Sequence, residues 1–282
     1  MRLIRTCAGI GDNIWLFMKL INHSEKFDFH ISDGKPQRGK QIFDLLPSLV
    51  NSCSYVPGLP YATIRKTSQQ FDGKNFSDIQ EKAFSLAANY HLEQGSRIET
   101  FLPDLATSFT IPWRTGDHGF DIKGLPNSSR FVGIYCSKYE SNKAWSHWTE
   151  RTWFDLIQKI HAEKPETVFC IIGALFDIDL SGKLIQLLQQ NNIPYFDCIG
   201  KSLAYTIELL KVLDYFIGFP SGLSILNETL EKKTFMFYPP HLEKMMYAWA
   251  SPERIKSKDY IASQFGTSME AFNLIADNTN LF

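Results

Sequence analysis

Apolar and polar positions along this chain follow two periods, and the places where one gives way to the other outline its elements. A short apolar run, Leu3–Cys7, stops at a small-residue corner, Ala8-Gly9-Ile10-Gly11, after which the pattern turns helical over about Asn13–His23. Phe27–Ser32 alternates with period two and predicts a second strand, and Gln41–Leu46 predicts a short helix. The pattern then loosens through SYVPGLPYATIRK and FDGKNFSD, where prolines, glycines and polar residues predict loops. A helix is predicted near Ile79–Tyr90, followed by EQGSRIETFLPDL. The stretch Pro112–Arg130, PWRTGDHGFDIKGLPNSSR, has no apolar periodicity and predicts an inter-domain linker.

Beyond it the alternation is regular. Strands are predicted at Phe131–Cys136, Val168–Gly173, Tyr195–Cys198, Tyr215–Gly218 and Thr234–Tyr238. Helices are predicted at Glu150–His161, Asp179–Gln190, Leu203–Val212 and Leu223–Leu230. Short apolar strands alternating with helices of ten or so residues are the mark of a parallel, doubly wound sheet, and the first residues begin in the same way. The expected class is α/β, with two Rossmann-like domains facing a ligand cleft. Their expected extents are residues 1–120 and 121–255, with 256–282 as a C-terminal helical segment packing back on the N-terminal domain.

Composition narrows the class without deciding it. The chain has 282 residues, 44% hydrophobic and 21% charged, which suits two compact cores. A formal net charge of −1 gives no global signature of a nucleic-acid or membrane partner. Five cysteines in no CxxC pair, mostly inside apolar runs, indicate reduced buried thiols and a cytoplasmic setting. MRLIRTC is too short and polar for a signal peptide, and no apolar run approaches the length of a membrane span.

Three turns carry candidate chemistry. In Gly9-Ile10-Gly11-Asp12, glycines let backbone approach a ligand, although GIGDNI lacks the third glycine of a dinucleotide fingerprint. Asp12 is either a plain N-cap or a general base facing an acceptor hydroxyl. The loop after Cys136 carries Ser137, Lys138, Ser141, Asn142 and Lys143 at the edge where parallel sheets bind ligands. Lys143 is there either to neutralise a diphosphate or as a solvated lysine. In Pro220-Ser221-Gly222, amides at a helix start suit phosphate oxygens, with Ser221 as ordinary N-cap the alternative. Asp177-Ile178-Asp179 spells a DxD, but it opens a helix, where capping is expected rather than metal binding. Scattered histidines offer no zinc site. Before the linker, the densest polar and aromatic group is Asn89-Tyr90-His91-Leu92-Glu93 with Gly95, Arg97 and Glu99, either a cleft-lining loop or a solvated helix end.

In this order the motifs resemble glycosyltransferase family 9, the heptosyltransferase-like enzymes of GT-B fold. GIGDNIW resembles the family's opening Gly-Asp turn. NKAWSHWTERTWFDLI looks like its Lys-x-Trp loop and amphipathic helix, with a few extra residues. VFCIIGA ends a strand at Gly173, and IGKSLAYTIELL is similar to the family's Gly-Lys-Ser/Thr-Leu turn at Lys201. The correspondence spans residues 1–22 and about 129–245. It departs at the last turn, where Pro220 replaces the family's aspartate and Ile225 its histidine.

The resemblance implies an inverting, metal-independent transfer from a nucleotide sugar held by the C-terminal domain, with no cofactor. It implies Asp12 as catalytic base, Lys143 as phosphate-binding lysine, and Ser221 with Gly222 as the donor-phosphate turn. Gly11, Ser137, Gly173 and Lys201 join the donor side by the same correspondence. The acceptor, a glycan, then falls to residues 1–120, with Tyr90, His91, Glu93 and Arg97 as its candidate contacts. Compact members of this kind are similar to virus-encoded transferases, some of which act on a hydroxymethylated DNA base. Arg38, Lys40, Arg65, Lys66 and Lys74 supply positive charge for that alternative. A nucleotide-sugar-binding protein without transferase activity is the alternative of another class.

Overall fold

The computed structural model describes residues 2–31, 36–56, 84–116, 130–136, 148–264 and 266–279. Two compact units emerge. The first comprises Met1–Gly116, Ser221–Leu230 and Lys244–Ser251, and the second Asp117–Pro220, Glu231–Glu243 and Pro252–Phe282.

The first unit is built on a three-stranded parallel sheet in the order β1 (Arg2–Thr6), β2 (Phe27–Ile31), β3 (Val50–Tyr55). In β2 the alternation is literal: Phe27, Phe29 and Ile31 are buried, while Asp28 and His30 are only half-buried. Helix α1 (Ile10–Leu20) links the first two strands, and α2 (Pro36–Asp44) leads to the third. Phe17 of α1 meets Phe43 and Phe29 edge-on, with centroids 5.2 and 6.1 Å apart. Helix α1 is apolar almost all round, because it packs also against α3 (Phe84–Glu93) and α7 (Gly222–Glu228). Its boundaries lie earlier than the periodicity suggests, so Asp12 falls inside the first turn. The edge strand β3, VNSCSY, is polar and half-exposed, with a register shift opposite Phe27 and Asp28. That composition hides a strand from pattern alone.

Two later segments complete this unit. The indole N–H of Trp113 donates to Thr229 Oγ1 at 3.0 Å, and the Ile111 amide donates to Thr229 O. The Arg114 amide donates to Leu45 O, so the start of the expected linker is anchored rather than free. Trp249 lies against Trp15, with centroids 5.7 Å apart.

The second unit holds six parallel strands in the order β6-β5-β4-β7-β8-β9. These are β4 (Arg130–Tyr135), β5 (Thr167–Gly173), β6 (Tyr195–Ile199), β7 (Tyr215–Gly218), β8 (Lys233–Tyr238) and β9 (Tyr260–Gln264). Numbered within the unit, this is the Rossmann order 3-2-1-4-5-6. Every residue of the central β5 is buried, as expected for a parallel strand covered on both faces. Helix α4 (Glu150–Glu163) packs on α5 (Ile178–Gln190) and on α9 (Ser268–Asn278), while α6 (Leu203–Val212) and α8 (Pro252–Lys256) complete the set. Trp148, Trp153, Phe219 and Phe237 form an aromatic knot, with the two tryptophans 4.7 Å apart. Residues 256–282, expected as a helical extension of the N-terminal domain, instead supply edge strand β9 and helix α9 to this second sheet unit. YIASQ is too short and too mixed to announce itself as a strand, and it is recruited by pairing with β8.

Thr229→Val keeps the volume at a fully buried position but leaves the Trp113 indole N–H without its acceptor. A loss of about 1–3 kcal/mol of unfolding free energy is expected in urea titrations.

Candidate active site

The β1–α1 corner is set by Asn13, a fully buried polar residue in an apolar helix. Its Nδ2 donates to Cys7 O at 2.9 Å and Gly9 O at 2.7 Å, and its Oδ1 accepts from Thr6 Oγ1 at 2.5 Å. The turn is therefore stapled on both sides, and Gly9 becomes the N-cap of α1 with no side-chain capping bond. Asp12 is not the N-cap, so the plain capping alternative does not describe it. Its carboxylate folds back over Gly9, where an added Cβ would sit 2.3 Å from Oδ2, and it accepts from Cys7 Sγ at 3.3 Å. Burial raises the Asp12 carboxyl from 3.8 to about 6; the Cys7 hydrogen bond opposes the rise and the charge of Glu93 adds to it. Asn13 and Cys7 were not singled out for this corner by pattern; the signal available was an asparagine next to Asp12 in a helix whose remaining residues, Lys19 apart, are apolar or glycine.

Against this corner lies α7. A Cβ on Gly11 would come 2.8 Å from Ile225 Cδ1 and 3.3 Å from Gly222 Cα, and one on Gly222 would meet Gly11 N at 2.9 Å. The two helix starts thus touch backbone to backbone, within one unit. The Pro220-Ser221-Gly222 turn was expected wholly on the C-terminal side; instead Ser221 and Gly222 belong with the N-terminal sheet, and Gly222 lies against Gly11 and Ile10. Ser221 is the N-cap of α7, its hydroxyl accepting from the Ser224 amide at 3.4 Å. Ile225 is buried here, which accounts for an apolar residue at that position.

The candidate acceptor group spreads over α3 and the turn after it. Tyr90 is exposed and Glu93 accepts from Asn89 Nδ2 at 2.8 Å. His91 Nε2 lies 2.8 Å from Thr100 Oγ1, and burial pulls its imidazole below the usual range. Arg97 is a strut: it pairs with Glu99 at 2.8 Å and donates to Tyr247 O and Ala250 O, each at 2.7 Å. Lys19, buried in α1, donates to Thr107 Oγ1 at 2.8 Å, and burial lowers its ammonium to about 8.

In the second unit, the strand order reverses between β4 and β7, where open parallel sheets bind ligands beyond the strand ends. Ser137 and Lys143, in the loop leaving β4, lie outside the described residues, as do Arg65, Lys66 and Lys74. Gly173 ends β5 and is crowded by Asp177, whose Oδ2 accepts from the Ala174 amide at 2.8 Å. Asp177 is thus engaged in a turn, as capping required. The Lys201 ammonium sits 5.6 Å from the Tyr205 ring centroid. Among the described residues no group of three His, Cys, Asp or Glu could hold a metal ion, and no helix is long and apolar enough to cross a membrane.

No family model and no curated protein matches the sequence. Solved structures do match along nearly its whole length. Escherichia coli heptosyltransferase WaaC with ADP covers 99% of this chain and 100% of its own, with a TM-score of 0.60 at 14% identity. E. coli ADP-heptose lipopolysaccharide heptosyltransferase II gives 0.60 at 11% identity over 99% and 98% of the two chains. A glycosyltransferase family 9 protein from Veillonella parvula gives 0.58 at 11% over 99% and 92%. The fold is that of the heptosyltransferase-like GT-B proteins. At such identity the likeness concerns architecture, and the chemistry must be argued from the side chains.

For Asp12 that chemistry has a thermodynamic cost. Between pH 3.8 and about 6 the native state holds a proton that the unfolded chain has released, so stability falls as pH rises through that window. The cost of the ionised carboxylate reaches about 3 kcal/mol above it. Asp12→Asn is therefore expected to stabilise the protein by about 1–3 kcal/mol at pH 8, with the gain shrinking towards zero near pH 4, in urea unfolding at a series of pH values.

Proposed function

We propose that this chain is a glycosyltransferase that moves a sugar from a nucleotide-sugar donor to a hydroxyl of a glycan acceptor, with inversion and without a metal ion. The observation that carries the proposal is Asp12: a part-buried carboxylate raised to about 6, at the corner where the starts of α1 and α7 meet at Gly11 and Gly222. A general base works best with a pKa near the working pH, and Asp12 is ionised at neutrality yet still basic enough to take a proton. WaaC, solved with ADP and with ADP-2-deoxy-2-fluoro heptose, shares the fold and supports a nucleotide-sugar donor.

In the proposed reaction the acceptor oxygen attacks the anomeric carbon as Asp12 removes its proton. The bond to the nucleoside diphosphate breaks on the opposite face. Lys143 and the backbone at Ser221 and Gly222 meet the charge that develops on the leaving group, with Ser137, Gly173 and Lys201 on the donor side. Tyr90, His91 and Glu93 are the proposed acceptor contacts, with Arg97 holding the turn behind them. A protein that only binds nucleotide sugars would need no carboxylate held at a cost to stability.

With a panel of nucleotide sugars and glycan acceptors, kcat/KM should rise with pH through about 6 and then level off. Asp12→Asn should lower kcat by roughly 10²–10⁴-fold while leaving donor affinity intact. Normal turnover of that variant would sink the proposal.

Lys143→Ala should weaken binding of the nucleoside diphosphate far more than that of the nucleoside, measured by calorimetry. Full activity is expected in excess chelator; a strict magnesium requirement would overturn the metal-independent mechanism.

A further inference from the structure

We propose that Cys7 is a positioning residue for Asp12: its thiol donates to Oδ2 and so fixes which carboxylate oxygen is presented to the acceptor. The proposal rests on Asp12 being the base. Cys7 is buried, and its sulfur lies 3.3 Å from Oδ2. Its backbone cannot drift, because Asn13 Nδ2 holds Cys7 O at 2.9 Å and is itself locked by Thr6 and Gly9. On its other side Oδ2 faces Gly9, with room for hydrogen only, since a Cβ there would be 2.3 Å away. Thus Oδ2 is enclosed between a thiol and a glycine. Among the described residues Oδ1 accepts no hydrogen bond and is the oxygen left to take a proton.

The groups that face Asp12 act in opposite directions. Cys7, at the end of β1, favours the ionised form by donating to it, whereas Glu93, from α3, disfavours it by like charge. Helix α7 brings Gly222 and Ile225 to the corner, neither of which titrates. Removing the thiol leaves burial and Glu93 unopposed, so the carboxyl should titrate at higher pH and its side chain should lose its fixed orientation.

The test uses Cys7→Ala and Cys7→Ser, each alone and combined with Asp12→Asn. The difference in urea unfolding free energy between each protein and its Asp12→Asn counterpart, followed from pH 4.5 to 8, reports the Asp12 titration without any ligand. The pH above which this difference levels off marks the titration of Asp12 in the folded state, and this folded-state midpoint, about 6 in the parent, is expected to rise by roughly half to one pH unit in Cys7→Ala. Serine, which restores a donor, should return it to within about 0.3 unit of the parent. A merely structural cysteine would lower stability equally at every pH and leave the midpoint in place. The acid limb of the kcat/KM profile should move with the midpoint. An unmoved midpoint in Cys7→Ala, or a serine variant displaced as far as alanine, overturns the positioning role. Failure of the base assignment would look different: full turnover of Asp12→Asn while the midpoints still shift.

Discussion

Gly11 and Gly222 touch backbone to backbone, and the arrangement of the candidate site depends on that contact. A Cβ at Gly222 would lie 2.9 Å from the Gly11 amide nitrogen, a backbone atom that cannot step aside, and one at Gly11 would be tight at 3.3 Å from Gly222 Cα and would push Ile225 Cδ1 from 2.8 Å. The contact also binds α7 to the N-terminal sheet, although the strand preceding it belongs to the other unit. Thr229 and Trp113 fasten the far end of the same helix, so α7 is held at both termini.

Around that contact the chain supports a group that is costly to keep. Asp12 is part-buried, raised in pKa, opposed by Glu93 and relieved only by a weak thiol donor. Asn13, buried nearby, behaves otherwise, being satisfied on both ends of its amide, whereas Lys19 bears a similar cost: it finds Thr107, yet burial still lowers its ammonium to about 8. The contrast is what separates a structural polar residue from a candidate catalytic one. A satisfied buried group stabilises the fold, whereas a poorly satisfied ionisable group costs stability and marks a candidate site.

The second unit contributes topology. Its strand order reverses between β4 and β7, the two strands followed by the turns singled out for donor binding. Two roles assigned from local pattern changed on the way to the fold. Arg97, expected as an acceptor contact, also serves as a strut that pairs with Glu99 and two backbone carbonyls. Residues 256–282 looked like a helical appendage to the first domain and contain the edge strand of the second sheet.

Local chemistry along the chain was enough for much of this. Parallel strands buried on both faces must be continuously apolar, so β5 and β7 were legible, and α6 was legible from its apolar pattern between them. The Gly-Asp corner and the Pro-Ser-Gly turn were legible as candidate sites because glycine at a strand-to-helix junction lets backbone approach a ligand. The half-exposed edge strands β3 and β9 were not, since their polar residues are tolerated only because a neighbouring strand supplies hydrogen bonds. That Asp12 is no cap, that Cys7 reaches its carboxylate and that Gly222 lies on Gly11 were decided in three dimensions alone. Those facts depend on distances between residues as far apart in sequence as Gly11 and Gly222, and hydrophobic periodicity carries no information about them.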